Sequence, residues 1–312
     1  MADGLDIPER GGHGGAESGH VTVLLKEAID FLAVRRGGTY IDATVGLGGH
    51  SYEIARRLGA QGRLIGVDRD PAALEIARER LVVGADAADW PAIELRHGSF
   101  SELANDQRRT TNDQVDGILA DVGVSSFQLN TPARGFSFQA DGPLDMRMNP
   151  MSEPTAEQVV NQFDERELAD LIYEFGEERR SRRIARAIVR SRPISSTAEL
   201  AAVISAAARS MKHERIHPAT RTFQALRIFV NRELVELRGL LEAAPQLLES
   251  SGRMVIISFH SLEDRIVKDA FRDGVKQGIY RVLTKKPVTA SQEEVDRNPR
   301  SRSAKLRAIE KV

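Results

Sequence analysis

The 312-residue sequence contains no cysteine. This absence excludes zinc sites built on cysteine, iron–sulfur clusters and every reaction that needs a thiol nucleophile. The sequence also lacks an apolar run of about twenty residues, so we expect no transmembrane helix. The N-terminus has no basic segment followed by an apolar run, which predicts that there is no secretory signal. We therefore expect a cytoplasmic protein, with residues 1–19, rich in glycine and polar residues, forming a disordered tail.

A strong excess of one charge is missing as well, because the formal net charge is −1. Bulk electrostatics therefore do not indicate a nucleic-acid partner. Basic side chains nevertheless gather in two segments, and such clusters can contact phosphates even in a neutral protein. A solvated helix face is the alternative for each cluster. The clusters comprise Arg179, Arg180, Arg182, Arg183, Arg186, Arg190 and Arg192, and then Lys276, Arg281, Lys285, Lys286, Arg297, Arg300, Arg302, Lys305, Arg307 and Lys311.

The most informative segment present is a glycine-rich turn. Residues 39–41 are β-branched and aromatic and predict a strand, and residues 50–58 predict a helix. The glycines between them would let the backbone approach a ligand closely. The next predicted strand ends at Asp68, where a carboxylate can accept hydrogen bonds from both hydroxyls of a ribose. This segment therefore predicts a cofactor that contains a nucleoside.

Predicted strands and helices alternate from residue 38 to residue 124. Such alternation predicts a parallel sheet covered by helices on both faces. Predicted strands end in carboxylates at Asp42, Asp68 and Asp121. Because ligands bind beyond the carboxyl ends of strands in these sheets, we expect the three side chains to converge on one crevice.

The alternation is interrupted by a helical segment. Residues 155 to about 211 predict consecutive amphipathic helices, and a buried strand at residues 252–259 then resumes the sheet. We therefore predict a discontinuous α/β domain formed by residues 20–135 and 216–312. Residues 136–215 are predicted to be an inserted all-helical domain.

Two further elements are predicted in the C-terminal part of the chain. The periodicity of residues 223–241 indicates one long amphipathic helix. The chain from Lys285 onward is polar and contains two prolines, which indicates an arm outside the core.

The spacing of the glycines separates two classes of cofactor. A dinucleotide fingerprint needs a third glycine, and that position falls on Ser51. The spacing of Asp42, Gly46 and Gly48 instead matches the loop of S-adenosylmethionine-dependent methyltransferases. A tight turn with no ligand is the structural alternative, and a nucleotide-dependent oxidoreductase is the functional one.

Longer blocks of sequence make the likeness specific. The chain resembles the MraW (RsmH) family, which methylates the N4 amine of a cytidine in the RNA of the small ribosomal subunit. The resemblance runs from residue 20 nearly to the end and rests on residues 20–25, 42–51, 121–129, 134–138, 142–148, 217–231, 258–265 and 298–307.

The resemblance implies a class I, Rossmann-like methyltransferase fold and S-adenosylmethionine as the cofactor. The implied substrate is 16S RNA within an assembled or nearly assembled subunit, and the oligomeric state, including a homodimer, stays open. The implied cofactor contacts are Gly48, Gly49, His50, Asp68, Phe100, Asp121 and Gln128.

A cytosine amine is a poor nucleophile, because its lone pair is shared with the ring. An acceptor for its N–H protons would draw it towards a pyramidal, nucleophilic geometry. Asp121 is our first candidate for this acceptor. Asp145, in a long polar loop, is the second, with a helix cap or a salt bridge to Arg147 as its alternative. The Asp-Pro-Pro-Tyr type of motif that many amino methyltransferases use is absent, so the stacking role is open among Phe127, Phe136 and Phe138.

The histidines allow other interpretations. His50 at a helix start is interpreted as a positioning residue rather than a base. His260, beside Ser261 and Glu263, could suggest a hydrolase triad, but RNA contact or a structural network is preferred. No metal-ligand spacing is present, so we predict no catalytic metal. A non-catalytic RNA-binding assembly factor is the third functional hypothesis.

Overall fold

The structure is a computed structural model that describes residues 21–82, 88–105, 114–208 and 216–312. The predicted N-terminal tail lies outside these residues. The helices are α1 (Leu25–Leu32), α2 (Gly49–Leu58), α3 (Pro71–Val82), α4 (Ser126–Asn130), α5 (Ala156–Gln162), α6 (Glu165–Gly176), α7 (Ser181–Arg190), α8 (Thr197–Ala208), α9 (Thr220–Val230), α10 (Glu233–Leu247), α11 (Ser261–Lys276) and α12 (Gln292–Arg297). The strands are β1 (Thr39–Asp42), β2 (Arg63–Asp68), β3 (Ala92–His97), β4 (Val115–Asp121), β5 (Leu248–Ser258), β6 (Tyr280–Val282) and β7 (Lys305–Lys311).

The strands form one sheet in the order β3-β2-β1-β4-β5-β7-β6. The first five strands pair in parallel, whereas β7 runs antiparallel to both β5 and β6. The predicted α/β fold with a mostly parallel sheet is confirmed. The chain direction across the sheet reverses between β1 and β4, and such a switch point opens a crevice at the carboxyl ends of the strands.

The apolar central strands explain why both faces of the sheet are covered. Ile118 and Ile256 belong to one core cluster, which includes α10 and α11. Leu119 and Val255, the chain neighbours of Ile118 and Ile256, belong to another cluster that includes α1 and α2. Successive side chains of a strand point to opposite faces, so a continuous apolar run requires helices on both.

The helices between β4 and β5 have a core of their own. Apolar side chains of α5 to α8 pack together with Phe136 and Met146 from the loop before them. Helix α9 contributes Phe223 and Leu226 to this same cluster, although residue 216 was the predicted start of the second part of the α/β domain. The packing boundary therefore lies after α9.

The predicted single helix over residues 223–241 is wrong. It is two helices, α9 and α10, separated at Asn231 and Arg232, where Arg232 has a φ of 51°. The two helices bury their apolar faces in different clusters, and one straight helix would reach only one of them.

The C-terminal segment is not an arm throughout, because its last residues form β7 between β5 and β6. Leu306 and Ala308 are fully buried. The intervening Arg307 donates to Asp264 at 2.7 Å, and Lys305 donates to the same carboxylate at 3.3 Å. Much of the second basic cluster is thus used within the fold. No helix in the described part of the chain is both long and apolar enough to cross a membrane.

Candidate active site

A cleft opens at the carboxyl ends of β1, β2 and β4, beside the switch point of the sheet. It encloses about 1170 Å³ of empty space, open solvent included. The predicted cofactor residues that line it are Gly49, His50, Asp68, Phe100, Asp121 and Gln128.

The glycines of the turn are required by close packing. Gly48 caps α2 with a φ of 78°, in the left-handed region, and a Cβ there would lie 3.3 Å from the Cβ of Ala77. A Cβ at Gly49 would collide with Thr22 Oγ1. Any side chain at either position would push the turn away from its neighbours, so the glycines set the shape of the cleft floor.

Asp42, the acid of the glycine motif, holds this turn together. It is buried and accepts hydrogen bonds from Ser51 Oγ at 2.5 Å and from the Thr44 backbone nitrogen at 3.1 Å. Burial raises the pKa of Asp42 to about 6, against the opposing effect of these bonds. Thr44 then accepts a hydrogen bond through Oγ1 from the Asp121 backbone nitrogen at 2.6 Å, which couples the turn to β4.

Asp68 stands at the end of β2, as predicted. Its Oδ2 accepts from the Gly46 backbone nitrogen at 2.7 Å, and its Oδ1 accepts from the Asp70 backbone nitrogen at 2.9 Å. Burial raises the pKa of Asp68, whereas these hydrogen bonds oppose the shift. Each carboxylate oxygen has a second lone pair, so the fixed carboxylate can still accept a hydrogen bond from a ligand hydroxyl.

Asp121, at the end of β4, has an unused acceptor. Its Oδ1 is buried and has no hydrogen-bond partner among the described residues, and its Oδ2 lies 3.8 Å from His50 Nδ1. Burial, followed by the charges of Asp42 and Glu263, raises the pKa of Asp121 well above its ordinary value. A cation or an N–H donor bound in the cleft would relieve both the missing hydrogen bond and the crowding of negative charge.

The His50 side chain is held in place by a contact with the backbone at the edge of the cleft. It is buried, and its Nε2 lies 3.1 Å from the Val23 carbonyl oxygen, so this nitrogen carries the proton of a donated bond. The contact ties α2 to the segment before α1.

Gln128 lines the cleft, but both ends of its amide are already engaged. Its Nε2 donates to Asp70 Oδ2 at 2.8 Å, and its Oε1 accepts from the Ser125 backbone nitrogen at 3.0 Å in the cap of α4. Asp70 also accepts from Arg134 Nη1 at 2.8 Å, and Arg134 donates to two backbone carbonyls in the loop that follows. Gln128 is therefore part of the network that fixes this loop against the sheet.

Asp145 is placed outside the cleft lining. Its carboxylate accepts from Arg147 Nε at 2.8 Å and from Arg147 Nη2 at 2.7 Å. Burial alone would raise the pKa of Asp145, but the bonds from Arg147 lower it. The geometry favours the salt-bridge alternative over the predicted catalytic role.

The three aromatic candidates for base stacking also lie outside the cleft lining. Phe136 is buried in the helical core, and Phe138 packs edge-on against Phe223 at a centroid distance of 4.8 Å. Phe127 faces a neighbouring groove instead. Phe259, which the sequence reasoning missed, lines the cleft at the end of β5. The rule that ligands bind beyond strand ends could have identified it.

Helix α10 adds carboxylates that were also missed. Glu233 and Glu236 line the cleft. Glu233, His260 and Glu263 form a group in which the atoms that could bind a metal ion all lie within 4.8 Å of one another. Arg227 donates to both oxygens of Glu233, at 2.8 and 2.9 Å. His260 Nε2 lies 3.0 Å from Glu263 Oε1. Glu233 is thus paired with Arg227, whereas His260 and Glu263 lie together at the start of α11.

Comparison with known proteins adds a family. Residues 17–312 match the model of the MraW methylase family. Proteins named "Ribosomal RNA small subunit methyltransferase H" are similar over almost their full length. That of Koribacter versatilis is 65% identical over 303 residues, covering 96% of this chain and 96% of that protein. That of Acidobacterium capsulatum is 65% identical over 294 residues, covering 94% and 98%. That of Synechococcus elongatus is 50% identical over 294 residues, covering 94% and 95%.

Proposed function

The chain belongs to the MraW methylase family and its cofactor is S-adenosylmethionine, and on this premise we propose that it methylates the N4 amine of a cytidine in small-subunit ribosomal RNA. The RNA substrate is inferred from the names of the relatives, and the N4 position from the sequence resemblance and the chemistry of the cleft. Family membership argues against the alternative of an oxidoreductase.

The residues of the cleft fit the cofactor. Gly48 and Gly49 leave a close-packed backbone floor, and Asp68 offers fixed carboxylate oxygens to ribose hydroxyls. Phe100 supplies an apolar wall. When bound, S-adenosylmethionine supplies a methyl group that is already activated by its positive sulfur. The carboxylates Asp68, Asp121, Glu233, Glu236 and Glu263 give the cleft a charge that suits such a cation.

The observation that carries the proposal is the unpartnered Oδ1 of Asp121. A buried acceptor without a donor is costly and calls for an N–H group from a ligand. An exocyclic amine that donates to this oxygen would be oriented with its lone pair free for an in-line displacement. Positioning of this kind accounts for most of the catalysis that such a transfer needs. The raised pKa of Asp121 also suits it to accept the proton that the methylated amine gives up,.

Binding of the RNA is proposed to involve the helical part of the chain. The exposed face of α7 carries Arg182, Arg183 and Arg190, and the exposed Arg179 lies just before this helix. The described residues provide no acidic partner for these four arginines. Arg186 differs, because it pairs with Glu165 at 3.2 Å. Unpaired arginines on one face of a helix attract phosphates. A partly or fully assembled small subunit is the proposed form of the substrate.

The test is methyl transfer in vitro followed by nucleoside analysis. Small subunits from cells that lack the protein are incubated with the purified chain and isotope-labelled cofactor. We expect labelled N4-methylcytidine at one position of the small-subunit RNA. Label on carbon 5 or on another base would contradict the proposal. An Asp121→Asn variant that restores the cells without restoring the methyl mark would favour the assembly-factor hypothesis.

A further inference from the structure

A second groove lies beside the cleft and is continuous with it. Leu47, Ser126, Asn298 and Arg300 line both cavities. The groove encloses about 1540 Å³ of empty space, open solvent included. It runs between α4, α12 and the 3₁₀ helix Pro299–Ser303, so an occupant of the groove could extend directly into the cleft.

The charges of the two cavities are opposite. The cleft is rich in carboxylates, whereas the charged side chains that line the groove, within the described part of the chain, are Arg297 and Arg300. Arg297 pairs with Glu293 at 3.3 Å, and both side chains are mostly exposed. An exposed pair of this kind contributes little to stability, so Arg297 can exchange its partner for a phosphate at small cost.

The groove also presents an aromatic ring. Phe127 is half-buried on α4, and it belongs to none of the apolar clusters that the described residues form. The nearby Leu129, in contrast, packs against the helical core. Helix α4 is held by its capping box and by the bond from Gln128 to Asp70. Phe127 is therefore a ring on a fixed support at the edge of a basic groove.

The opposite wall of the groove is fixed as well. Asn298 donates through Nδ2 to the Val21 carbonyl oxygen at 3.0 Å, and Glu294 accepts from the Leu24 backbone nitrogen at 2.7 Å. Arg300 donates to Asn130 Oδ1 at 2.6 Å across the groove. The bonds of Asn298 and Glu294 join the first described residues to the segment before β7, and the bond to Asn130 holds Arg300 in place without neutralising it.

We propose that this groove binds the single-stranded RNA segment next to the target nucleotide, with one base stacked on Phe127 and its phosphates at Arg297 and Arg300. The inference rests on the proposed function, because it assumes that the nucleotide in the cleft belongs to RNA. Single strands are held by aromatic rings that stack bases and by arginines that contact the backbone. The groove supplies both beside the entrance of the cleft.

The experiment measures binding of a fluorescent single-stranded RNA of about ten nucleotides with a central cytidine, with S-adenosylhomocysteine present. We expect Phe127→Leu and Arg297→Ala each to weaken binding about tenfold. Arg297→Ala should also flatten the dependence of log affinity on log salt by about 0.7. Phe127→Leu should leave that slope unchanged, and Phe127→Tyr should restore binding. Arg302→Ala is the matched control, because Arg302 is an exposed arginine of the adjacent 3₁₀ helix Pro299–Ser303 that lies outside the groove lining. It should bind like the unchanged protein.

A photo-crosslink locates the RNA independently. With 4-thiouridine beside the cytidine, crosslinked peptides should contain Phe127 or residues 297–300. Unchanged affinity in both variants, or crosslinks that map elsewhere, would overturn the inference. Methyl transfer by the unchanged protein is measured in parallel. RNA bound in the groove without any transfer would contradict only the proposed function, whereas transfer with unchanged binding in both variants would contradict only the groove.

Discussion

Asp121 is the residue on which the proposed chemistry depends. Replacement by Asn keeps the size of the side chain but removes the charge that faces the cleft. We expect turnover at saturating cofactor to fall by about 10²- to 10⁴-fold, the usual contribution of a group that handles a proton or its developing charge. Single-turnover methyl transfer to small subunits measures this effect. Turnover within a factor of two of the unchanged protein would contradict a catalytic role.

Asp145 provides the matched comparison, because the sequence suggested both acids for the same role. Asp145→Asn should leave turnover almost unchanged, since the side chain lies outside the cleft lining. It should instead lower the thermal unfolding temperature, because the two bonds from Arg147 to the carboxylate would be weakened. A large loss of turnover with an unchanged unfolding temperature would reverse our assignment of the two acids.

Asp68 should act on binding rather than on turnover. Asp68→Ala removes the acceptors at the end of β2 and also frees the backbone nitrogens of Gly46 and Asp70. We expect cofactor affinity, measured by calorimetry, to fall at least tenfold, because hydrogen bonds to a charged group are worth about 1.5–3 kcal/mol. The cofactor affinity of Asp68→Asn, which keeps one acceptor oxygen, should lie between those of the unchanged protein and Asp68→Ala.

Asp42 makes a prediction about stability and pH. Its pKa is raised to about 6 in the folded chain, so its contribution to the free energy of unfolding is full below about pH 3.8 and is lost as the pH rises through 6. Asp42→Asn removes this ionisation. Between pH 5 and pH 8, the free energy of unfolding of the variant relative to the unchanged protein should improve by about 1.4 kcal/mol. Urea unfolding at both pH values measures it, and a pH-independent difference would contradict the shift.

Some of the residues that line the cleft could be predicted from the sequence, and others could not. Asp68 and Asp121 were found because strand ends in an α/β sheet face one crevice. Glu233 and Glu236 were not, because they reach the cleft only through the break before α10, which no local pattern signals. Asp42 was read as part of the ligand loop, but the structure shows it bonded to Ser51 and Thr44. The distinction depends on burial, which the sequence does not specify.

At the scale of elements, the break between α9 and α10 depends on Asn231. This buried side chain accepts from the Met148 backbone nitrogen at 2.7 Å and donates to the carbonyls of Met146 and Arg227 at 2.7 and 2.9 Å. Asn231→Ala would leave buried backbone groups without partners. We expect a loss of about 3 kcal/mol in the free energy of unfolding.

Asn149→Ala is the control for this change. Among the residues that the structure describes, the Asn149 side chain takes part in a single hydrogen bond, which it accepts from the Met151 backbone nitrogen at 3.0 Å in the exposed part of the same loop. Its loss should cost less than about 1 kcal/mol. Equal costs for the two variants, measured by urea unfolding, would show that Asn231 is not what fixes the break.

Helices and strands were predicted well where the apolar residues follow one periodicity. They were predicted poorly where tertiary contacts determine where an element begins or ends. The strands that end at Asp42, Asp68 and Asp121 follow from short apolar runs. Residues 223–241 keep a helical period across the break, so the break is visible only in the contacts of Asn231. Strand β7 was missed because Lys305 and Arg307 suggest a solvated arm, and their partner Asp264 lies more than forty residues earlier.

At the scale of the whole molecule, a net charge near zero conceals a division of charge. The cleft collects carboxylates, whereas arginines collect on α7 and along the groove. A cationic cofactor and a polyanionic substrate would therefore be drawn to different surfaces of one nearly neutral protein. Composition alone could not reveal this arrangement, because the positive and negative charges of the whole chain nearly cancel. The small-subunit substrate was likewise inferred only from the family, since no residue in the site specifies it.

The arginine face of α7 should act on substrate binding alone. In Arg182→Glu with Arg183→Glu, two exposed cations without acidic partners among the described residues become anions, on the side opposite the buried Ile184 and Ile188. We expect the KM for small subunits to rise at least tenfold and the salt dependence of kcat/KM to weaken, because fewer counterions are released on binding. The kcat should stay the same, since α7 contributes nothing to the cleft lining. Steady-state kinetics at several salt concentrations measure all three quantities.

Arg186→Glu with Glu165→Arg, which preserves an existing pair, is the control. An unchanged KM in the first variant, or a fall in kcat without a rise in KM, would exclude α7 from the RNA-binding surface.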